Sequence, residues 1–242
     1  MTMKDASGID DGTVLRASGL AKTFVLHTQG GVEIPVFAGL DFSVRAGECV
    51  VLSGRSGCGK STLMRSLYAN YRVDAGRIEI RHEDRIVDLA TAPAHEILAV
   101  RRRTLGHVSQ FLRVIPRVAT IDIVAQPLRA AGIDAAAAER RAAELLARLN
   151  LPSRLWKLAP ATFSGGEQQR VNIAHGFALA RPVLLLDEPT ASLDEGNRNV
   201  VIELIEEAKR DGAAIVAICH DHEVRNAIAD RLFEMPGGRL AA

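Results

Sequence analysis

The chain has 242 residues, of which 48 % are apolar, and this size predicts one large α/β domain with a full core. A formal net charge of +1 and an aromatic content of 4 % argue against a nucleic-acid partner. No apolar run approaches the roughly 20 residues of a membrane span, and residues 1–12 lack a signal-peptide core and are expected to be disordered.

The three cysteines are odd in number and form no metal or redox motif, which favours a reducing, cytoplasmic location. Cys49 and Cys219 lie in apolar runs and are expected to be buried thiols. Cys58 lies between two glycines in a loop, where it either fills space or serves a redox role.

The first half of the chain predicts strands and one helix in alternation. Residues 13–53 predict short strands separated by glycine-containing turns. A helix is expected over 61–69, and further strands over 77–80, 86–89 and 105–109.

The middle of the chain is rich in alanine, leucine and arginine at helical spacing over 121–131 and 135–149. Residues 92–160 are therefore expected to contain a mostly helical subdomain, inserted between core segments 13–91 and 161–242. Strands and helices alternate again afterwards, with strands over 183–186 and 213–219, helices over 197–210 and 223–230, and a short terminal strand. This alternation predicts a mainly parallel sheet.

A glycine-rich loop follows the apolar run 49–52 and has the sequence Gly54-Arg55-Ser56-Gly57-Cys58-Gly59-Lys60-Ser61. The pattern G-x-x-x-x-G-K-S before a helix predicts a loop that holds nucleotide phosphates on its backbone amides. Lys60 is expected on the β- and γ-phosphates, Ser61 on Mg²⁺, and Thr62 near the α-phosphate. The nucleotide contacts expected here are Gly54, Ser56, Gly57, Cys58, Gly59, Lys60, Ser61 and Thr62.

Two carboxylates follow the apolar run 183–186. Ligands of open α/β sheets bind where parallel strands end, so Asp187 is expected to orient the magnesium ion. Glu188 is expected to act as the general base for the attacking water. The alternative is a solvent-exposed acidic turn before Pro189.

The segment Ser164-Gly165-Gly166-Glu167 supports two interpretations. Ser-x-x-Glu predicts a helix capping box that needs no function. The two glycines disfavour a helix and would expose amides to a second phosphate group. The two interpretations are compatible.

Three further side chains are candidates only in combination. Gln110 ends one strand-like segment and could reach Mg²⁺ or the attacking water, while His220 ends another and could donate to the γ-phosphate. Phe24 could stack on adenine or pack in the core. Alone, each would more often be a solvated, incidental or structural residue.

Taken in order, these motifs resemble the ATP-binding-cassette (ABC) ATPase domain over nearly the whole chain. The resemblance implies a P-loop NTPase fold with a mainly parallel core sheet, an N-terminal antiparallel β-subdomain and an inserted helical subdomain. It also implies a head-to-tail dimer, with itself or with a related ABC subunit, that encloses two ATP molecules with Mg²⁺. Phe24 matches the aromatic residue of the A-loop.

Each site of such a dimer draws on both chains. The resemblance implies that one chain supplies Lys60, Ser61, Gln110, Asp187, Glu188 and His220, and that the other supplies Ser164, Gly165, Gly166 and Glu167, with Asp194 linking the two sites. Glu167 departs from the glutamine usual in the family, which leaves its contact with ribose open.

Stretches around 66–71, 87–94, 108–117 and 155–170 resemble more narrowly the PhnL family, the ABC-type subunit of the bacterial carbon–phosphorus lyase system. That resemblance implies an ATP-driven clamp on the soluble enzymes of phosphonate catabolism, including the α-D-ribose 1-methylphosphonate 5-triphosphate synthase complex. The main alternative is the nucleotide-binding motor of an ABC membrane transporter, with a membrane permease as partner. A nucleic-acid-associated ABC protein and a nonhydrolytic scaffold are weaker alternatives.

Overall fold

The fold consists of nine strands and seven α-helices in the described part of a computed structural model, which covers residues 9, 12–26, 28, 30–110, 112 and 117–236. The strands are β1 (Thr13–Leu26), β2 (Val32–Arg45), β3 (Cys49–Ser53), β4 (Ala75–His82), β5 (Arg85–Asp88), β6 (Leu105–Val108), β7 (Val183–Asp187), β8 (Ala214–Ile218) and β9 (Arg231–Glu234). The helices are α1 (Lys60–Leu67), α2 (Ala94–Arg103), α3 (Thr120–Ala130), α4 (Ala135–Arg148), α5 (Gly165–Ala178), α6 (Glu195–Arg210) and α7 (His222–Ile228).

Two sheets organise the molecule. The first has the order β6-β7-β8-β3-β9, and all of its pairs are parallel. The second has the order β2-β1-β4-β5, and all of its pairs are antiparallel. The parallel core sheet and the N-terminal antiparallel sheet confirm the predicted fold class.

The parallel sheet is buried on both faces, which explains its nearly continuous apolar strands. Alternate residues of one strand enter different cores, because successive side chains point to opposite faces. In β7, Leu184 and Leu186 pack with the helices α3 to α6, while Val183 and Leu185 pack with α1 and the antiparallel sheet. The same alternation directs Asp187 toward the α1 side.

The antiparallel sheet differs from the prediction of short strands. β1 and β2 are 14 residues each, and Gly19 and Gly39 lie inside them with φ of 61° and 65°. The β1–β2 register shifts around Gly19. The glycines therefore mark bulges within continuous strands, because they adopt positive φ without ending the pairing.

The segment predicted to contain the mostly helical subdomain also holds one strand, as expected over 105–109. Strand β6 lies within residues 92–160 and pairs with β7 in the parallel sheet. Helices α3 and α4 pack on each other and on α5, although α5 begins after residue 160. The helical cluster therefore combines residues from both sides of the predicted boundary.

Cys49 is buried, as expected, whereas Cys219 is only partly buried. Burial is the main cause that raises the pKa of Cys49, and it raises the pKa of Cys219 to about 12. Cys58 is partly buried, and its Sγ lies 3.9 Å from Lys60 Nζ.

Most of the segment predicted to be disordered, 1–12, lies outside the described residues. Across the described ranges, no helix is both long and apolar enough to span a membrane.

Candidate functional site

Four neighbouring strands of the parallel sheet end at the same edge, and the predicted site residues follow them. Gln110 comes two residues after β6, Glu188 directly after β7, His220 two residues after β8, and the phosphate loop directly after β3. Because the strand order is β6-β7-β8-β3, Glu188 stands between Gln110 and His220. This is the edge at which open α/β sheets bind ligands.

The phosphate loop runs from β3 into the first turn of α1. Gly54, Gly57 and Gly59 all have positive φ, at 138°, 79° and 98°. Gly59 is the residue before α1, and no side chain caps that helix. The helix N-terminus therefore keeps its amides and partial positive charge available to an anion.

Two of these glycines are also required by close packing. A Cβ at Gly59 would lie 2.6 Å from Val36 Cγ1, and one at Gly54 would lie 2.8 Å from Cys58 Sγ. Met235, which is 3 % exposed, also lies against both positions. Gly57 has open space around it, so only its backbone conformation requires glycine.

Lys60 lies within the loop rather than in solvent. Its side chain is buried, and Nζ donates to the carbonyl oxygens of Gly54 at 2.7 Å and Arg55 at 3.1 Å. Ser61 is exposed in the first turn of α1, and Thr62 is half-buried beside it. The loop thus groups a cation, a hydroxyl and helix amides, which suits a phosphate chain.

Asp187 and Glu188 occupy different environments although they are adjacent. Asp187 is 6 % exposed, and burial, followed by the charge of Glu188, raises the pKa of its carboxyl group. Glu188 is more exposed and has a φ of 52°, a conformation that costs a non-glycine residue about 1 kcal/mol or more. Its amide donates to Ile218 O at 2.9 Å. The pair is therefore not a solvated acidic turn.

The structure brings Gln110, Glu188 and His220 together. His220 Nε2 lies 3.1 Å from Glu188 Oε1, and Gln110 Nε2 donates a long hydrogen bond of 3.4 Å to Glu188 Oε2. The carboxylate therefore has a polar partner on each side, one from each neighbouring strand.

The position of His220 is supported by the residue after it. Asp221 caps α7 by accepting from the amides of Glu223 and Val224. Its other oxygen accepts from Arg198 of α6 at 2.6 Å. This local frame fixes the backbone where His220 leaves β8.

The predicted signature segment begins α5 as a full capping box. Ser164 Oγ accepts from Glu167 N at 3.3 Å, and Glu167 Oε2 accepts from Ser164 N and from Ser164 Oγ, each at 2.8 Å. The amide of Ser164 is the main cause that lowers the pKa of the Glu167 carboxyl group. This helix start therefore carries a negative charge that glutamine would lack.

Close packing explains why residue 166 is a glycine, which the sequence did not reveal. A Cβ there would lie 2.9 Å from the carbonyl oxygen of Ser192. Asp194 caps α6 by accepting from the backbone and side chain of Asn197. Gly165 has open space around it. The segment 192–194 and the start of α5 are thus neighbours within one chain.

Two predicted groups do not join the cluster at the sheet edge. No hydrogen bond or ion pair between described residues links Ser164–Glu167 to the phosphate loop. Phe24 is half-buried in β1, where its ring packs edge-on against Tyr71 at 5.4 Å and lies 5.2 Å from Lys22 Nζ. Phe24 is therefore partly enclosed by its own chain.

Sequence inspection missed two buried amides on α5. Gln169 and Asn172 are 4 % and 5 % exposed, and they contact backbone oxygens beside Gln110 and Glu188. The sequence did contain one signal. Gln169 and Asn172 lie three residues apart, and so on one face of the helix, and the other buried residues of α5 are apolar or glycine.

The residues present fit a magnesium ion held largely by its nucleotide. No group of three or more His, Cys, Asp or Glu side chains arranged for a metal occurs among the described residues. Magnesium in phosphate-transfer sites needs only one or two protein carboxylates with substrate oxygens and water. Asp187 and Ser61 could each supply one oxygen to such an ion.

Comparison with known proteins identifies the family. The family model described as "ABC transporter" matches residues 37–191. The lipoprotein-releasing system ATP-binding protein LolD of Maricaulis maris is 38 % identical over 230 residues, which cover 94 % of this chain and 96 % of LolD.

An uncharacterized ABC transporter ATP-binding protein of Mycobacterium tuberculosis is also 38 % identical, over 87 % of this chain. The chain spans only 62 % of the length of that relative. Among solved structures, the dimeric ATP-binding cassette MJ0796 bound to ADP and Pi has a TM-score of 0.83 and 26 % identity, covering 93 % of this chain and 95 % of the cassette.

Nothing in these comparisons points to the ABC-type subunit of the carbon–phosphorus lyase system. The narrower resemblance inferred from the sequence therefore gains no support, and the transporter alternative fits the relatives better.

Proposed function

The chain belongs to the ABC transporter family, and from this premise we propose that it is the ATP-hydrolysing motor subunit of a membrane transporter. The proposal has two parts, the ATPase chemistry and the partner, which rest on different observations. The proposed unit is a single cassette over 13–242, in which α3 and α4 belong to a helical subdomain.

The ATPase chemistry follows from the order of groups along the sheet edge. The phosphate loop and Lys60 bind the triphosphate, with Ser61, Gln110 and Asp187 toward the magnesium ion. Bound magnesium neutralises charge on the phosphate oxygens. Glu188 takes a proton from the attacking water, and His220 orients Glu188 and donates toward the γ-phosphate.

The observation that carries this assignment is the contact of Glu188 with both Gln110 and His220. Gln110 and His220 are far from Glu188 in sequence, and their strands bring them to its carboxylate at the same sheet edge as the phosphate loop. A carboxylate held by a polar group on each side has a fixed position, which suits the activation of one water molecule. A carboxylate on a solvated surface would lack such partners.

The site is proposed to be completed by a second cassette. Ser164, Gly165, Gly166 and Glu167 begin a helix whose amides suit an anion, yet they do not contact the phosphate loop of their own chain. We therefore place them on the nucleotide of a partner, with Asp194 near the boundary and Phe24 toward the adenine. The dimeric state of the MJ0796 cassette supports this arrangement.

The proposed partner is a membrane permease, with the chain on the cytoplasmic side. LolD, a relative that matches nearly end to end, is named as the ATP-binding protein of a lipoprotein-releasing system. Dimer closure on ATP can drive a permease only through a difference in affinity between its two states.

Glu188→Gln tests the chemistry. The amide keeps the size of the carboxylate but cannot accept the proton, so we expect ATP binding to persist and kcat to fall by about 10²- to 10⁴-fold. The measurements are phosphate release and equilibrium binding of ATP. Hydrolysis at the wild-type rate would refute the role of Glu188.

Purification of the tagged chain from a detergent-solubilised whole-cell lysate of its native cell, which retains both membrane and soluble proteins, tests the partner. We expect an integral membrane protein at stoichiometric yield, whose reconstitution with the chain in vesicles raises ATP hydrolysis. Recovery of soluble phosphonate enzymes instead, with no membrane protein, would favour the carbon–phosphorus lyase alternative.

A further inference from the structure

Helix α5 connects two parts of the molecule that the proposed function keeps separate. Its first turn carries the signature residues for the partner's nucleotide. One to two turns further on, it touches the backbone beside Gln110 and beside Glu188, which serve the nucleotide of its own chain. This second set of contacts is made by Gln169 and Asn172.

The contacts form a continuous chain of hydrogen bonds. Asn172 Nδ2 donates to Ser109 O at 2.5 Å and to Gln169 Oε1 at 3.4 Å. Gln169 Nε2 donates to Pro189 O at 2.9 Å and, at 3.5 Å, to Glu188 O. The amides thus bridge the residue before Gln110 to the residue after Glu188.

Burial makes these contacts matter. Gln169 and Asn172 are 4 % and 5 % exposed, and a buried polar group without a partner is costly. The pair therefore has few alternative arrangements, and each amide keeps its carbonyl partner in place. Helices transmit such constraints because their own backbone is rigid.

The backbone conformation of Glu188 is a second reason why contacts from α5 are needed to hold this residue in place. Its φ of 52° is unfavourable for a non-glycine residue, so surrounding contacts must hold it. Its amide is held by Ile218 O at 2.9 Å, and its carbonyl oxygen accepts from Ala191 N at 3.2 Å. Gln169 supplies the further restraint on the carbonyls of Glu188 and Pro189.

We propose that Gln169 and Asn172 are positioning residues that set the placement of Gln110 and Glu188 in their own chain from helix α5. The helix that presents the signature to one nucleotide thereby adjusts the hydrolytic groups at the other. This inference rests on the proposed ATPase function.

Asn172→Ala removes the donor to Ser109 O and leaves the phosphate loop untouched. We expect kcat for ATP hydrolysis to fall about tenfold, while KM and ATP affinity stay near wild type. The thermal midpoint should fall by a few degrees, because Ser109 O loses a buried donor, so kcat is measured at a temperature where the variant is fully folded. Gln169→Met keeps the length of the side chain but has no donor. It should also lower kcat without changing KM or ATP affinity, and the loss of kcat should be larger.

Asn172→Asp should make kcat depend on pH in a way that a purely structural role would not. The ionised carboxylate cannot donate to Ser109 O, but the protonated acid can. The ratio of variant to wild-type kcat should therefore rise as the pH is lowered from about 8.5 to about 6, because burial raises a carboxyl pKa. Asn226→Ala, the same truncation at an exposed position of α7, is the control and should keep wild-type kcat.

The outcomes separate the two proposals. If Glu188→Gln abolishes turnover but Asn172→Ala and Gln169→Met keep wild-type kcat, the positioning role is refuted and the ATPase assignment stands. A loss of ATP affinity as large as the loss of kcat would also refute positioning, and so would a kcat loss that disappears when activity is divided by the folded fraction at the assay temperature. If Glu188→Gln hydrolyses normally, both proposals fail.

Discussion

His175 shows how a single residue on α5 connects burial with the pH dependence of stability. It lies in the last turn of that helix, where burial, followed by the nearby charge of Arg181, lowers its pKa from 6.5 to about 4. The folded protein therefore holds this imidazole neutral at a pH where the unfolded chain would protonate it. Arg181 itself has a pKa lowered by burial, so the region already carries one poorly solvated cation.

The sign of the effect follows from proton linkage. Because the pKa of His175 is lower in the folded state, its contribution to stability is complete above about pH 6.5 and declines as the pH falls toward 4. We expect the wild type to lose about 2 kcal/mol through this group between pH 7 and pH 5. His175→Leu should lose correspondingly less over the same interval. Denaturant unfolding at both pH values measures the difference, and equal losses in the two proteins would contradict it.

At the scale of elements, periodicity and turn chemistry predicted most of the fold. The apolar runs before the phosphate loop and before Asp187 became β3 and β7, because buried parallel strands need apolar residues on both faces. The length of β1 and β2 escaped prediction, since Gly19 and Gly39 signal turns locally but form bulges within a paired sheet. The length of these strands depends on their pairing with residues distant in sequence. A local sequence pattern carries no information about that pairing.

The candidate site was predictable in composition but not in arrangement. Its residues could be named because each follows an apolar strand or belongs to a glycine motif. The contacts of Glu188 with Gln110 and His220 depend on β7 lying between β6 and β8, an order that the sequence alone leaves open. Gln169 and Asn172 escaped because a buried amide is recognisable only when its partners are known.

The contact between α5 and β6 gives a prediction at the element scale. Gly176 of α5 faces Val108 of β6 so closely that an added Cβ would overlap Val108 Cγ2. Gly176→Ala should therefore destabilise the protein by about 1–3 kcal/mol, although alanine alone would favour the helix by about 1 kcal/mol.

Gly196→Ala is the matched control, because the nearest atom to its added Cβ is Asp194 Oδ1 at 3.6 Å. That variant should be as stable as the wild type or slightly more stable. The free energies of unfolding of the two variants are compared by denaturant titration. A Gly176→Ala protein as stable as the control would show that α5 and β6 can separate at little cost.

At the scale of the whole molecule, the two functional surfaces of a chain are separate. The phosphate loop, Glu188 and His220 form one surface, and the start of α5 at Ser164 forms the other. Symmetry then constrains the assembly, because a two-fold dimer pairs each surface with its complement and creates two equivalent sites. Each site would contain the phosphate loop of one chain and the signature of the other.

Mixing two inactive variants tests this sharing directly. Lys60→Ala removes the loop cation but leaves the signature intact. Ser164→Asp keeps a residue type that caps helices, but it loses the hydroxyl that donates to Glu167 Oε2 and puts a carboxylate where a phosphate is expected. Each variant alone should be inactive. In an equal mixture, about half of the dimers pair the two variants, and each pair contains one site with an intact loop and an intact signature.

The mixture should therefore recover about a quarter of wild-type turnover per chain if the sites act independently. Lys60→Ala mixed with Glu188→Gln is the control, because both defects lie on the same surface and no intact site can form. Recovery in the first mixture but not in the second requires that loop and signature come from different chains. No activity in either mixture would contradict shared sites that act independently. Full activity of Ser164→Asp alone would contradict a shared site of any kind, since a signature that hydrolysis does not need cannot complete a partner's nucleotide site.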